Sequence, residues 1–246
     1  MSVKIIVPSK GRASSVLTKI DSQILCVDIT ELDEYKKYND CEIITHNSLK
    51  NLSSIRQFLY EKYKDLFMVD DDIVSVERLY NVNNQKLTEI EIKNIIDDCY
   101  YNAKNIGAKL FGFNNDPNPI HYNQHKPFML NGYINGCAIG LIQDKHLFFN
   151  KNTTACESHW INLLNAYYNR FCFIDKRFHF RQKANSTFLL KGGQTGKRTM
   201  QTEKYDTILL KKIFGDSVVV KKEKNKTKQL HEYQRQLNIV FLFLST

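Results

Sequence analysis

Proline is scarce in this chain, four residues in 246, and three of the four fall between Asn114 and Pro127. With so little proline, and with 42% hydrophobic and 12% aromatic residues, long disordered segments are excluded and a packed globular enzyme or binding domain is expected. Long apolar runs are missing too. None approaches the roughly 20 residues that a membrane helix needs, and the opening Met-Ser-Val-Lys-Ile-Ile-Val-Pro turns polar too quickly for a signal peptide. A soluble protein with no membrane partner is expected. The six cysteines (Cys26, Cys41, Cys99, Cys137, Cys156 and Cys172) form no C-x-x-C pair, so neither a zinc framework nor a disulfide framework is indicated, and a reducing cytoplasm suits them. Acidic residues are outnumbered, 26 against 35 basic ones, giving a formal charge of +9 and a pI near 9.1. That balance is compatible with nucleic acid or an anionic nucleotide as partner, and equally with a basic solvated face.

The length suits one α/β domain. In the first half, short β-rich runs alternate with helical patterns, as in βαβ units with a mostly parallel sheet. Lys4 to Val7 reads as a strand, followed by the loop Pro8-Ser9-Lys10-Gly11-Arg12 and a helix to Ile20. Gln23 to Ile29 and Cys41 to Thr45 read as strands, with a short helix from Glu31 to Tyr38 between them. Asn47 or Ser48 can cap the next helix, on which Leu49, Leu52, Ile55, Leu59 and Tyr63 share one face. The apolar strand Leu66 to Val69 then runs directly into Asp70-Asp71-Asp72. Residues 88 to 106 fit a helix closed by Gly107, and Lys109 to Phe113 a strand. Asn114 to Pro127 is loop. Met129 to Ile142 carries three glycines among β-formers, the pattern of a segment that something approaches closely. Ser158 to Tyr168 and Lys204 to Phe214 read as helices, and Phe171 to Ile174 and Val218 to Val220 as strands. A basic stretch, Lys221 to Lys228, and an apolar tail, Ile239 to Leu244, follow.

Three consecutive carboxylates raise one another's pKa unless a cation neutralises them. Alternate side chains at a strand end point to opposite faces, so Asp70 and Asp72 can share one side while Asp71 turns into the body. Two hard oxygen ligands suit magnesium or manganese bridging a diphosphate. An acidic turn or helix cap is the plainer alternative. In open α/β sheets ligands bind at the carboxyl ends of strands, where the Pro8 to Arg12 loop also lies. Its hydroxyl, cations and glycine can hold a nucleotide, although an ordinary βα turn has the same composition. Lys191 to Arg198 (KGGQTGKR) is not a Walker A motif, which would require Gly at 191 and Ser or Thr at 198. It reads as a cationic loop over a diphosphate or along an acceptor.

The VPSKGR start, the VDDDI strand end, the NGYINGCAIG segment and the GGQTGKR loop, in this order over most of residues 1 to 200, resemble the GT-A glycosyltransferases. Within them they resemble the phage and TET-associated DNA glycosyltransferases. The resemblance implies a GT-A (Rossmann-like) α/β fold with a mostly parallel sheet flanked by helices. It divides the single domain into a nucleotide-sugar half (1–115), an acceptor half (116–220) and a basic extension (221–246). Pro8, Ser9, Lys10 and Arg12 are implied near the nucleotide, Asp28 at the base, Arg56 on the helix beside the donor, and Asp70 and Asp71 on the nucleotide-sugar. Asp70 and Asp72 are implied at a Mn2+ or Mg2+ ion, with His179 as a late additional ligand. Lys197 and Arg198 are implied as added positive charge at the diphosphate. Glu157, at the start of the helix after the glycine-rich segment, takes the position of the general base; the commoner Glu-Asp pair is absent because Ser158 stands second, and helix capping explains a Glu there equally well. Donor and acceptor are implied to be a UDP-sugar carrying a hexose such as glucose and a 5-hydroxymethylpyrimidine in DNA. A glycan or protein acceptor, a nucleotidyltransferase and a non-catalytic nucleic-acid-binding module remain the alternatives.

Overall fold

A computed structural model describes residues 2–81, 86–184, 192–193, 198–220 and 235–237. Its centre is an eight-stranded sheet in the order β3-β2-β1-β4-β8-β6-β9-β7. These strands are β1 (Lys4–Pro8), β2 (Ile24–Asp28), β3 (Glu42–His46), β4 (Leu66–Val69), β6 (Leu110–Phe113), β7 (Phe128–Met129), β8 (Ala138–Leu141) and β9 (Phe173–Asp175). β1, β2, β3 and β4 pair in parallel, as do β6 and β9, whereas β8 opposes both its neighbours and β7 opposes β9. The expected α/β class with a mostly parallel sheet flanked by helices is therefore present. A two-stranded antiparallel sheet of β5 (Ile73–Arg78) and β10 (Phe178–Gln182) leaves the main sheet just after the acidic triplet. A second such pair joins β11 (Val218–Val220) to β12 (Arg235–Leu237).

Strands buried on both faces must be apolar wherever they are covered, and β4 throughout and β1 from Ile5 onward obey this. Ile5, Val7, Phe67 and Val69 enter one core with helix α3 (Glu89–Asn105). Ile6, Leu66 and Met68 enter the other with α2 (Leu52–Tyr63) and α4 (Glu157–Tyr168). Helix α1 (Leu32–Tyr38) adds the fully buried Tyr35 to the first core, and α5 (Met200–Phe214) adds Leu210 to the second. The first core is aromatic at its centre: the Phe67 ring lies 5.7 Å from those of Phe111 and Phe113 and 5.8 Å from that of Phe180. Among the described residues, no helix is long and apolar enough to cross a membrane.

The expected helix before Ile20 is absent. Its backbone donors are taken from outside the segment: Leu17 and Thr18 N–H groups donate to the Asp71 carbonyl, the Thr18 hydroxyl donates to the Asp70 carbonyl, and the Ile20 N–H donates to Gln23 Oε1. The segment is strapped beneath the triplet instead of coiling on itself. α2 also begins later than expected. Ser48 has φ +40, which a helix cannot accommodate, and Asn51 is the cap, its Oδ1 accepting from the Ser54 N–H at 2.9 Å. α3 matches its expected span and is started by a Thr88–Glu91 capping box. Residues from Asn114 to Pro127 carry one short 3-10 turn, Pro119–His121, and are held by Asn and Asp side chains that accept from N–H groups two residues on. The Lys221 to Lys228 stretch and the Ile239 to Leu244 tail lie outside the described residues.

The aromatic cluster yields a stability test. Phe67→Ala should cost about 3–5 kcal/mol of unfolding free energy, read from urea denaturation; a loss within the ±0.5 kcal/mol or so typical of surface changes would contradict the packing described.

Candidate active site

The carboxyl ends of β1 to β4 meet on one edge of the sheet. Because β8 runs the other way, the residues that precede it arrive at the same edge, and the Asp70 N–H donates to the Cys137 carbonyl at 2.9 Å. The β1 loop is fixed first. Ser9 Oγ donates to Asp71 Oδ2 and lies 2.7 Å from the Tyr35 hydroxyl, the Arg12 N–H donates to that hydroxyl at 3.1 Å, and Arg12 Nη1 donates to Asp71 Oδ1 at 2.6 Å. Asp71 thus turns into the body, as alternation required. Burial raises its pKa against the hydrogen bonds and charge of Ser9 and Arg12.

Asp70 and Asp72 turn the other way and converge. Nε2 of Gln182 donates to Asp70 Oδ2 and to Asp72 Oδ1, each at 3.1 Å. The second oxygen of Asp70 accepts from Arg56 Nη2 at 2.9 Å. Burial, opposed by Arg56 and reinforced by Asp72, Asp71 and Glu157, pushes the Asp70 pKa up to about 7. A carboxyl raised in this way is one whose ionised form the fold disfavours, so its contribution to stability falls as pH rises from the ordinary carboxylate range toward neutrality.

Arg56 is only 1% exposed. Nη2 also donates to the Gly136 carbonyl at 2.8 Å, and Nη1 lies 3.6 Å from Glu157 Oε1. A Cβ at Gly136 would sit 2.8 Å from Arg56 Nη1 and equally close to Ser158 Cβ, which accounts for one glycine of the glycine-rich segment. Glu157 is the first residue of α4. The turn that delivers it is held from α5, where the carboxylate of Asp206 accepts from three successive N–H groups, Thr154 at 2.8 Å, Ala155 at 2.7 Å and Cys156 at 3.1 Å. Gly192 and Gly193 close the site over the β1 loop. The Gly193 N–H donates to the Lys10 carbonyl at 2.8 Å, and Gly192, at φ +83, could not carry a Cβ, which would lie 2.4 Å from that oxygen.

These groups enclose a cavity of about 230 Å³. Of the residues singled out from sequence, Pro8, Ser9, Lys10, Arg12, Asp70, Asp71, Asp72, Glu157 and Arg198 line it. Arg56 and Asp28 are not among the lining residues: Arg56 stands behind Asp70, and Asp28 closes β2, its carboxylate lowered in pKa first by the Thr30 N–H. His179 is not among them either, and its Nδ1 is 2.8 Å from the Asn114 carbonyl oxygen. Lys197 lies outside the described residues. Sequence reasoning missed Gln182, Tyr133, His159 and Asp206. The alternation of Phe178-His179-Phe180 is a strand pattern that sequence reasoning did not use, and nothing local signals that this strand ends against the triplet.

Among the described residues no group of three or more His, Cys, Asp and Glu side chains is arranged to hold a metal ion. The two convergent carboxylate oxygens, both on one Gln182 nitrogen, are nevertheless a hard oxygen donor set of the kind that magnesium or manganese completes with water and phosphate.

No protein-family model matches this chain. No curated protein does. Among solved structures, the crystal structure of S. aureus TarS 1-349 is similar, at 12% identity and a TM-score of 0.47, over 74% of this chain and 60% of that one. The present chain thus spans less than two thirds of that length, and a likeness of this size bears on neither chemistry nor substrate.

Removing the buried cation tests the site's electrostatics. Arg56→Met leaves Asp70 and Glu157 without their shared partner, and should cost about 3–5 kcal/mol near pH 8. The loss, measured by chemical denaturation, should shrink near pH 5, because a proton can then replace the cation on Asp70; a pH-independent loss would contradict the pairing.

Proposed function

We propose that this chain is a metal-dependent glycosyltransferase of the GT-A kind, moving a hexose such as glucose from a UDP-sugar to a hydroxyl of modified DNA, a 5-hydroxymethylpyrimidine. One observation carries the enzymatic reading. Two carboxylate oxygens that converge on a single point, Asp70 Oδ2 and Asp72 Oδ1, stand at the carboxyl edge of an α/β sheet, in a cavity that also receives Lys10, Arg198 and a third carboxylate, Glu157. Acids opposite cations in one cleft suit a donor that is itself an anion and must leave as one.

Asp70 and Asp72 would hold the divalent ion, which neutralises the departing nucleoside diphosphate when bound. Lys10 adds positive charge to the cavity, and Arg198, which is paired with Glu203, lines it as well. Arg12 is engaged with Asp71 and so orients the β1 loop and the triplet. On the acceptor side Glu157, at the positive end of α4, takes the proton from the attacking hydroxyl in an inverting displacement. As that oxygen bonds to the anomeric carbon, the bond to the diphosphate breaks and the electron pair leaves with it. Tyr133 and His159 line the cavity next to Glu157 with ring centroids 4.9 Å apart, and flat side chains there suit a planar base. The formal charge of +9 and the likeness of VPSKGR, VDDDI and NGYINGCAIG to the DNA glycosyltransferases support DNA as the acceptor.

Turnover tests the roles separately. Asp72→Ala should abolish both metal-dependent hydrolysis of UDP-glucose and transfer. Glu157→Gln should lower the transfer rate by about 10²–10⁴-fold with little change in donor KM. Unchanged turnover in either variant overturns that residue's assignment. The acceptor is tested by binding: affinity for hydroxymethylated duplex should fall steeply as salt is raised, whereas absence of binding at any salt would favour a glycan or protein acceptor.

A further inference from the structure

Gln182 is the last residue of β10, and the pairing of β10 with β5 is irregular there. Arg181 lies opposite Ser75, but Gln182 lies opposite Ile73, so Val74 is skipped. A bulge of this kind re-aims the side chain beside it, and here it aims an amide at the acidic triplet. The result is unusual in its economy: a single nitrogen, Nε2, donates one hydrogen to Asp70 Oδ2 and the other to Asp72 Oδ1, both at 3.1 Å. The strand is anchored at that point, since the next N–H, that of Lys183, donates to the Asp72 carbonyl at 2.9 Å. The amide is therefore carried to the triplet by backbone pairing and does not depend on a loop.

A side-chain amide differs from any cation in this position. It presents two donors on one side and an acceptor oxygen on the other, and half a turn about its last, weakly restricted torsion exchanges them. With the carboxylates alone, the donors face inward and hold two like charges together. With a divalent ion between the carboxylates, the donors would be repelled and the oxygen attracted. His179, three residues earlier on the same strand, points its Nδ1 at the Asn114 carbonyl instead.

We propose that Gln182 is the third protein ligand of the divalent ion, through Oε1, and that its amide turns over when the ion enters. This rests on the metal-dependent reading of Asp70 and Asp72 given above. The competing role is a clamp, in which Gln182 merely ties the acids together. The two roles differ in sign. A clamp must be broken before an ion can enter, so its removal leaves ion affinity unchanged or improves it; loss of a ligand weakens affinity.

Mn2+ alone is titrated into the full chain, free ion being read by electron paramagnetic resonance, for the wild type, Gln182→Met and Gln182→Glu. Ligation predicts that Gln182→Met, uncharged and of similar length, binds Mn2+ about tenfold or more weakly, the scale on which loss of a metal-site contact is felt. It also predicts that Gln182→Glu binds more tightly than the wild type, melts at a lower temperature without Mn2+, and recovers with it. If the wild type binds and Gln182→Met binds as well or better, the ligand role is overturned while the metal site stands. Weaker binding by Gln182→Glu than by the wild type overturns it in the same way, and does so even if Gln182→Met fails to fold. No binding by the wild type removes the metal site and this inference together.

Discussion

A guanidinium withdrawn almost completely from water is tolerated only where carboxylates and carbonyls replace the lost hydration. In this protein Arg56 meets such groups on three segments: Nη2 donates to Asp70 after β4 and to the Gly136 carbonyl before β8, while Nη1, which like Nε makes no hydrogen bond among the described residues, lies 3.6 Å from the Glu157 carboxylate at the start of α4. The ion pair is consequently more than a local contact, since it sets the distance between the acids on one side of the cavity and the single acid on the other. Had the same position held an apolar residue, Asp70 and Glu157 would face each other across a site of low polarity, each raising the cost of ionising the other. The glycine at 136 belongs to this arrangement, because any side chain there would occupy the volume that the guanidinium needs.

The remaining order of the site follows from what Arg56 leaves undone. Asp71 cannot share that cation, and is answered from the opposite side by Ser9 and Arg12, which stiffen the loop after β1. Asp72 approaches the Arg12 guanidinium only to 4.0 Å and leans on the amide of Gln182 instead. Three adjacent carboxylates thus receive three different sets of partners, Arg56 and Gln182 for Asp70, Ser9 and Arg12 for Asp71, and Gln182 for Asp72. That inequality is why one oxygen of Asp70 and one of Asp72 face the same point while Asp71 serves the framework.

Much of this was legible beforehand. The apolar runs Ile5 to Val7 and Leu66 to Val69 announced strands, and a period of two at the triplet separated Asp71 from its neighbours. The span of α3 could be read because its apolar periodicity and the glycine that ends it act over a few residues. What escaped was whatever depends on partners distant in sequence. Residues up to Ile20 have an unremarkable helical composition, and the carbonyls of Asp70 and Asp71, with Gln23 Oε1, take donors that a helix would have used. Arg56 was placed beside a donor by the resemblance, and its side chain is directed inward, behind Asp70. Gln182 and Asp206 have no motif around them. Their contacts arise from the pairing of β10 with β5 and the packing of α5 beneath α4, which no local pattern encodes.

The contact between Gly193 and the Lys10 carbonyl joins positions far apart in the chain, from the loop after the first strand to the segment before α5. Its consequence is temporal. As the chain is synthesised from the amino end, the first strand and its loop exist long before the segment that covers them, and pairing across such a separation is slow to establish. The early strands can assemble on α2 and α3 while the cleft above them is still open. The cleft is thus completed late, by the two glycines and by Arg198 and α5 that follow them, and a chain halted shortly before the glycines would possess most of its hydrophobic interior without its finished cleft.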